Sequence, residues 1–285
     1  MSSVAPFQLC INTSTIRCAD APALTDKIDV AARAGFAGIE PWVQELDAFV
    51  DGGGALRELA GRIHDAGLTV CNLIGFFEWA VPDETRRAAG IAAARKAFAY
   101  AQALDCTCVA APPSGINTET GLDLRAIAAR YAALIDVGRE YGVTPVVEFW
   151  GAATTLGTLG EALLIAAESG RAEACVLADI FHMYKGTGHF EGLQLLGPAS
   201  LGLVHVNDYP AAPPRATIGD ADRVYPGDGV APYPRIMQAL HRAGYRGVLS
   251  LELFNRSYWA QPAFEVAVTG FRKLTAATAA AQLPA

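Results

Sequence analysis

The heptapeptide Val248-Leu249-Ser250-Leu251-Glu252-Leu253-Phe254 sets one carboxylate in a run of strand-forming apolar residues. With the period of two that a pleated strand imposes, Leu249, Leu251 and Leu253 share one face, and Ser250 and Glu252 share the other. Burying an ionised carboxylate without a partner costs several kcal/mol or more. Glu252 therefore needs a cation, a strong hydrogen-bond partner or an open cleft at the strand's end, and the rest of the chain argues for a metal ion.

Working outward, apolar runs of strand length alternate with Ala-rich helical segments, the pattern of βα units and a parallel sheet. Strands are predicted near Phe7 to Thr13, Phe36 to Trp42, Leu68 to Gly75, Cys106 to Ala111, Val143 to Trp150, Ala174 to Asp179, Leu201 to Asn207 and Gly247 to Phe254. Helices are predicted near Ala21 to Ala34, Gly54 to Ala66, Glu84 to Leu104, Leu122 to Tyr141, Leu159 to Ser169, His189 to Leu196, Pro232 to Ala243 and Pro262 to Ala280. Glycines at helix-to-strand turns (Gly35, Gly67, Gly142 and Gly244) stand where a left-handed C-cap falls. About eight strand-helix pairs close a barrel. The expected fold is α/β, a single (β/α)8 barrel occupying residues 1–285 as one domain. The Pro/Gly-rich stretch from Ala211 to Gly229 then becomes a long βα loop on the face where such barrels carry their sites.

Composition narrows the class of ligand. A net charge of −7 argues against nucleic-acid and acidic-membrane partners, which call for a basic surface. The six cysteines lack a CxxC pair and read as buried reduced thiols. The start, Met-Ser-Ser-Val-Ala-Pro, has no basic segment followed by a long apolar run, and no charge-free apolar stretch reaches about 18 residues. These features point to a soluble cytoplasmic protein acting on small solutes.

Glu148, Asp179, His205 and Glu252 fall at the C-terminal ends of four consecutive predicted strands, and strand parity turns all four toward the barrel interior. With neighbouring strands about 4.8 Å apart, such side chains converge on one ion. Three carboxylates and an imidazole suit Mn2+ or Mg2+, with Co2+ and Zn2+ as alternatives. Any one of them alone reads as a loop cap, a salt-bridge partner or a hydrogen-bonded core residue; four in register do not.

The order of these four residues, together with Asp179-Ile180-Phe181-His182, Val204-His205-Val206-Asn207-Asp208, Asp222-Arg223-Val224-Tyr225-Pro226-Gly227-Asp228-Gly229 and Ser250-Leu251-Glu252-Leu253-Phe254, resembles the xylose isomerase-like TIM-barrel superfamily of sugar isomerases and epimerases. Within it the chain most resembles the inosose (2-keto-myo-inositol) isomerase type, and the tagatose/psicose 3-epimerases share the ligand order. The resemblance covers nearly the whole chain, including Phe77-Glu78-Trp79 and Ala110-Ala111-Pro112-Pro113. It implies a divalent metal, Mn2+ first, held by Glu148, Asp179, His205 and Glu252, and a keto-sugar or keto-inositol substrate. It also implies a metal-stabilised cis-enediolate, with Glu148 and Glu252 as the proton-transfer pair in an order left open.

Further candidates surround this set. His182, three residues after Asp179, would donate to a substrate hydroxyl, or else is a loop histidine bonded to backbone. Arg223 suits a polyol or enediolate oxygen, or else pairs with Asp220 or Asp222 at the surface. Glu78 and Trp79 would form a sugar-holding platform, against plain packing for Trp79. Glu40 and Asn207 are candidates to orient a ligand. Tyr258-Trp259 would face a neighbour in a homo-oligomer or wall the pocket. The runner-up activity is a metal-dependent lyase of the 3-dehydroshikimate dehydratase type. A zinc-cluster endonuclease is disfavoured by five histidines and an acidic chain, and a non-catalytic sugar-binding barrel is the remaining alternative.

Overall fold

Eight short apolar segments lie side by side as parallel strands in the computed structural model, which describes residues 7–279. They are β1 (Gln8–Asn12), β2 (Gly38–Glu40), β3 (Thr69–Val70), β4 (Cys108–Ala111), β5 (Thr144–Glu148), β6 (Val176–Asp179), β7 (Leu201–Val206) and β8 (Val248–Leu251). The order β3-β2-β1-β8-β7-β6-β5-β4 joins the first strand to the last. Beyond β3, Leu73 donates its N–H to Cys108 O (3.2 Å) and accepts from Ala110 N (2.9 Å), which ties the two edges together. The eight strands thus form the expected (β/α)8 barrel. Met1 to Pro6 and Ala280, the expected end of the last helix, lie outside the described residues.

Parity divides the core in two. Trp42, Ile74, Ala110, Val146, Cys175, Leu177 and Leu203 make a small cluster that includes the inward residues of β4 to β7, while a far larger one fills the layer between strands and helices. Gly202 admits this interior packing, since an added Cβ would come 2.8 Å from Val146 Cγ1. The four helix-end glycines take positive φ: 100° at Gly35, 74° at Gly67, 68° at Gly142 and 74° at Gly244. The six cysteines are all free thiols; four are buried, and Cys71 and Cys108 are partly buried. No helix among the described residues is long and apolar enough to cross a membrane.

Two helical expectations change. A helix at Val43–Asp51, absent from the sequence reading, follows β2. The helix expected from His189 is only a 3-10 turn at Glu191–Leu195, because a helix has already started at Ile180–Gly186. Asp179 starts it as N-cap, its Oδ1 accepting from His182 N at 2.8 Å. His182 is therefore a first-turn helix residue and not part of a loop. Gly188, at φ 76°, follows the helix end and turns the chain away.

Candidate metal centre and substrate cavity

Strand ends deliver the polar groups to the same mouth of the barrel. Asp179 ends β6 opposite His205, His205 stands opposite Ser250 of β8, and Glu252 follows β8 with its N–H still donating to Val206 O. Asp179, His205 and Glu252 are buried and each offers a ligand atom within 4.8 Å of the others. Glu148 ends β5 opposite Leu177, two residues before Asp179. It is buried and lines the cavity beside Glu252, outside that three-residue group.

The surroundings of His205 determine which ring nitrogen faces the cluster. Its Nε2 lies 2.9 Å from Glu40 Oε1. Glu40 is fully buried and also accepts from Asn72 Nδ2 (2.7 Å), Asn12 Nδ2 (2.9 Å) and Ser250 Oγ (2.6 Å). A carboxylate surrounded by donors keeps a proton on Nε2, so Nδ1 is the nitrogen that faces the other two carboxylates and the one a cation would take. Nδ1 lies 3.2 Å from Glu252 Oε2 and 3.7 Å from Asp179 Oδ2, with no hydrogen-bond geometry to either. An orphaned buried nitrogen between two carboxylate oxygens is the donor arrangement of a divalent cation site. Positive charge is already drawn there, since Arg223 Nη1 bridges Asp179 Oδ2 and Glu252 Oε2 at 2.9 Å each.

The titration directions carry the same message. Burial lifts the Glu148 carboxyl to about 8; the His205 charge opposes this, and Glu252, Asp179 and Glu40 add to it. Burial also penalises the charged form of His205, but Glu252 and Glu40 carry its pKa well above the ordinary value. Burial works against the Glu252 anion, and His205 with Arg223 nonetheless brings it below the usual carboxylate range. At about 8, Glu148 is mostly protonated near neutrality, and it would ionise alongside its neighbours only where more positive charge is supplied. The residues present fit a divalent metal.

Arg223 reaches the site because its loop folds back on β7. Asp208 and Val224 exchange backbone hydrogen bonds, both 2.9 Å, and the Asp208 carboxylate gathers the N–H groups of Gly227, Gly229 and Ala231. Arg223 does pair with Asp220, but from a buried position and not at the surface, and it also bridges Asp179 and Glu252. Asn207 accepts from Phe181 N and donates to Asp179 Oδ2 (3.0 Å), which orients that carboxylate. His182 lines the cavity, with Nε2 3.2 Å from Arg223 Nη2 and Nδ1 buried without a partner.

A cavity of about 550 Å3 opens above these groups. Its apolar wall is a chain of edge-to-face rings, Trp42 against Phe76 (5.4 Å) and Phe76 against Trp150 (5.5 Å), continued by Phe254 and Trp259. Glu78 and Trp79 are not part of the lining. Trp79 is fully buried, lies tilted against Tyr131 and donates Nε1–H to Pro112 O, while Glu78 forms a two-pronged ion pair with Arg86. Alternation after β3 explains this: Phe77 and Trp79 point into the outer core, leaving Phe76 at the mouth. The signal was present in the sequence, because Phe76, Trp150 and Phe254 each stand at the end of a predicted strand or directly after it. Trp259 walls the pocket and donates Nε1–H to Ser14 O.

Comparison with known proteins follows the same lines. The family model described as xylose isomerase-like TIM barrel matches residues 28–277. An inosose isomerase of Halalkalibacterium halodurans is 29% identical over 137 residues, which is 48% of this chain and 48% of that protein. A 3-dehydroshikimate dehydratase of Pseudomonas aeruginosa is 26% identical over 258 residues, 88% of this chain and 39% of the other. The chain thus spans about half or less of the length of these curated relatives. A crystal structure of the IolI protein with a bound zinc atom superimposes with a TM-score of 0.87, covering 96% of this chain and 98% of that one at 22% identity, a likeness of fold.

Proposed function

Since the chain belongs to the xylose isomerase-like TIM-barrel family, we propose that it is a divalent-metal-dependent isomerase or epimerase of a keto-polyol, an inosose or a ketose. The observation that carries this reading is the pairing of Glu148 and Glu252 on one cavity, beside a buried imidazole whose free nitrogen faces two carboxylates. Asp179, His205 and Glu252 would hold the cation with Glu148 as the fourth ligand. When bound, the metal, Mn2+ in first place, supplies Lewis-acid polarisation at the substrate's carbonyl end.

The remaining work falls to the chain's own groups. One of Glu148 and Glu252 removes the proton on the carbon next to the carbonyl, giving a cis-enediolate. The other returns a proton, to the opposite face in an epimerase or to the adjacent carbon in an isomerase. Arg223 and His182 face the developing oxygen charge as donors, and the aromatic wall holds the apolar face of the substrate and limits water. The inosose isomerase relative and the zinc-bearing IolI fold support this reading.

A second reading has its own support: the dehydratase relative aligns over 88% of this chain, against 48% for the inosose isomerase. In a lyase the same proton loss leads to expulsion of a β-hydroxyl. Incubating the Mn2+-supplemented protein with a panel of inososes and ketoses in D2O separates the two. Isomerisation or epimerisation conserves formula and places deuterium next to the carbonyl, whereas dehydration yields a conjugated chromophore. Neither deuterium incorporation nor turnover with any ketone would remove both.

A further inference from the structure

Asn12 is the last residue of β1, and strand register sets it between two buried carboxylates. It lies opposite Glu40 of β2, and Ile11 pairs with Leu251 of β8, so the next position on that side is Glu252. The Asn12 side chain is fully buried and does not line the cavity. Its two donor and two acceptor positions are all filled. Oδ1 accepts from Trp42 Nε1 (2.8 Å) and Ser14 N (2.9 Å), while Nδ2 donates to Glu40 Oε2 (2.9 Å) and Glu252 Oε1 (3.1 Å). Indole and backbone N–H groups only donate and ionised carboxylates only accept, so the amide has one permitted orientation. An aspartate of the same shape would set a third carboxylate against the other two.

The two oxygens of Glu252 thereby acquire separate surroundings. Oε1 is taken by Asn12, and Oε2 lies 2.9 Å from Arg223 Nη1 and 3.2 Å from His205 Nδ1. A carboxylate held at one oxygen no longer turns freely about its last bond, and partners of this kind govern how well a ligand set holds its ion. We propose that Asn12 is the positioning residue of Glu252: it holds Oε1 so that Oε2 stays turned toward His205 and Asp179, and the same NH2 group fixes Glu252 against Glu40, the carboxylate behind His205. This rests on the metal site and reaction proposed above and names a residue that serves them without touching the substrate. Ser250 is a built-in control, because its Oγ donates to the same oxygen, Glu40 Oε2 (2.6 Å), and not to Glu252.

The test is a double-mutant cycle on the full chain, read by metal binding instead of turnover: competition for Zn2+ against a calibrated chelator, an ion that binds such donors more tightly than Mn2+ and keeps weakened variants in range. Asn12→Ser and Asn12→Ala both lose the amide that reaches Glu252. Serine retains an N-cap oxygen for Ser14 N and so guards the fold, which circular dichroism verifies. Each should weaken Zn2+ binding on the order of 10-fold or more, and more than Ser250→Ala does. In a Glu252→Ala background the same substitutions should change affinity by no more than about two-fold, because effects carried by one group do not add. Equal losses in both backgrounds, or a loss matched by Ser250→Ala, would mean that Asn12 acts through Glu40 or the fold, and would overturn the inference. Unchanged affinity in a folded variant would do so as well. A coupled cycle in a protein that enolises no ketone in D2O would leave the role of Asn12 standing and remove the proposed reaction. Turnover of a ketose or inosose alongside an additive cycle would do the reverse.

Discussion

Glu40→Gln probes the part of the site that touches neither the cavity nor the candidate metal. Glu40 Oε1 takes donors from Asn72 and His205, and Oε2 takes donors from Asn12 and Ser250. A glutamine amide must turn its NH2 toward one of these pairs. Toward Asn12 and Ser250, the serine hydroxyl can rotate to accept, but one Asn12 N–H is left facing another donor. A buried orphaned donor costs about 1–3 kcal/mol, which is the loss of stability expected in metal-free protein. Toward Asn72 and His205, the imidazole must move its proton to Nδ1, the atom that otherwise faces Asp179 and Glu252. Either way the ligand loses its charged orienting partner, and metal affinity should fall about 10- to 100-fold, as for other partners of ligating histidines. The assays are denaturant unfolding of the metal-free chain and competition of Mn2+ or Zn2+ against a calibrated chelator. Metal affinity unchanged in a folded Glu40→Gln protein would refute the view that Glu40 orients His205.

Four other outcomes are expected. Glu148→Gln and Glu252→Gln should each lower kcat by at least on the order of 10²–10⁴-fold with the fold intact by circular dichroism; an active Glu252→Gln protein would remove its role in proton transfer. EDTA should inactivate and added Mn2+ restore, and chelator-resistant turnover by protein that elemental analysis finds metal-free would discard the mechanism. His182→Ala should reduce kcat more than it reduces bound metal; the opposite pattern would make His182 a ligand. Trp79→Phe should destabilise by about 1–3 kcal/mol through the lost hydrogen bond to Pro112 O and a small cavity, with KM unchanged. A raised KM at unchanged stability would return Trp79 to the substrate.

Much of this protein was legible in its sequence, because the information concerned is local. A strand's period of two is a property of its own backbone, so Glu252 opposite the apolar face of Leu249 and Leu251 could be placed in the interior from a few residues. Helix ends likewise depend on the residue that must take positive φ, and Gly35, Gly67, Gly142 and Gly244 punctuate the chain at the spacing of βα units. The recurrence of acidic or imidazole donors at successive strand ends then located the mouth of the barrel.

Tertiary structure decided how these pieces meet, since that depends on register and closure between segments far apart in the chain. The offset of β5 against β6 sets Glu148 opposite Leu177 and apart from the compact Asp179, His205 and Glu252 group. Glu40 and His205 are 165 positions apart and touch only because β2 and β7 face each other across the closed interior. Arg223 is buried because a loop held by Asp208 folds over the cavity, which no periodicity in that polar stretch announces. Alternation beyond β3 put Phe76, and not Trp79, at the mouth. Local sequence determined which groups face inward; packing of the whole barrel determined which of them share a cation, a proton or a substrate.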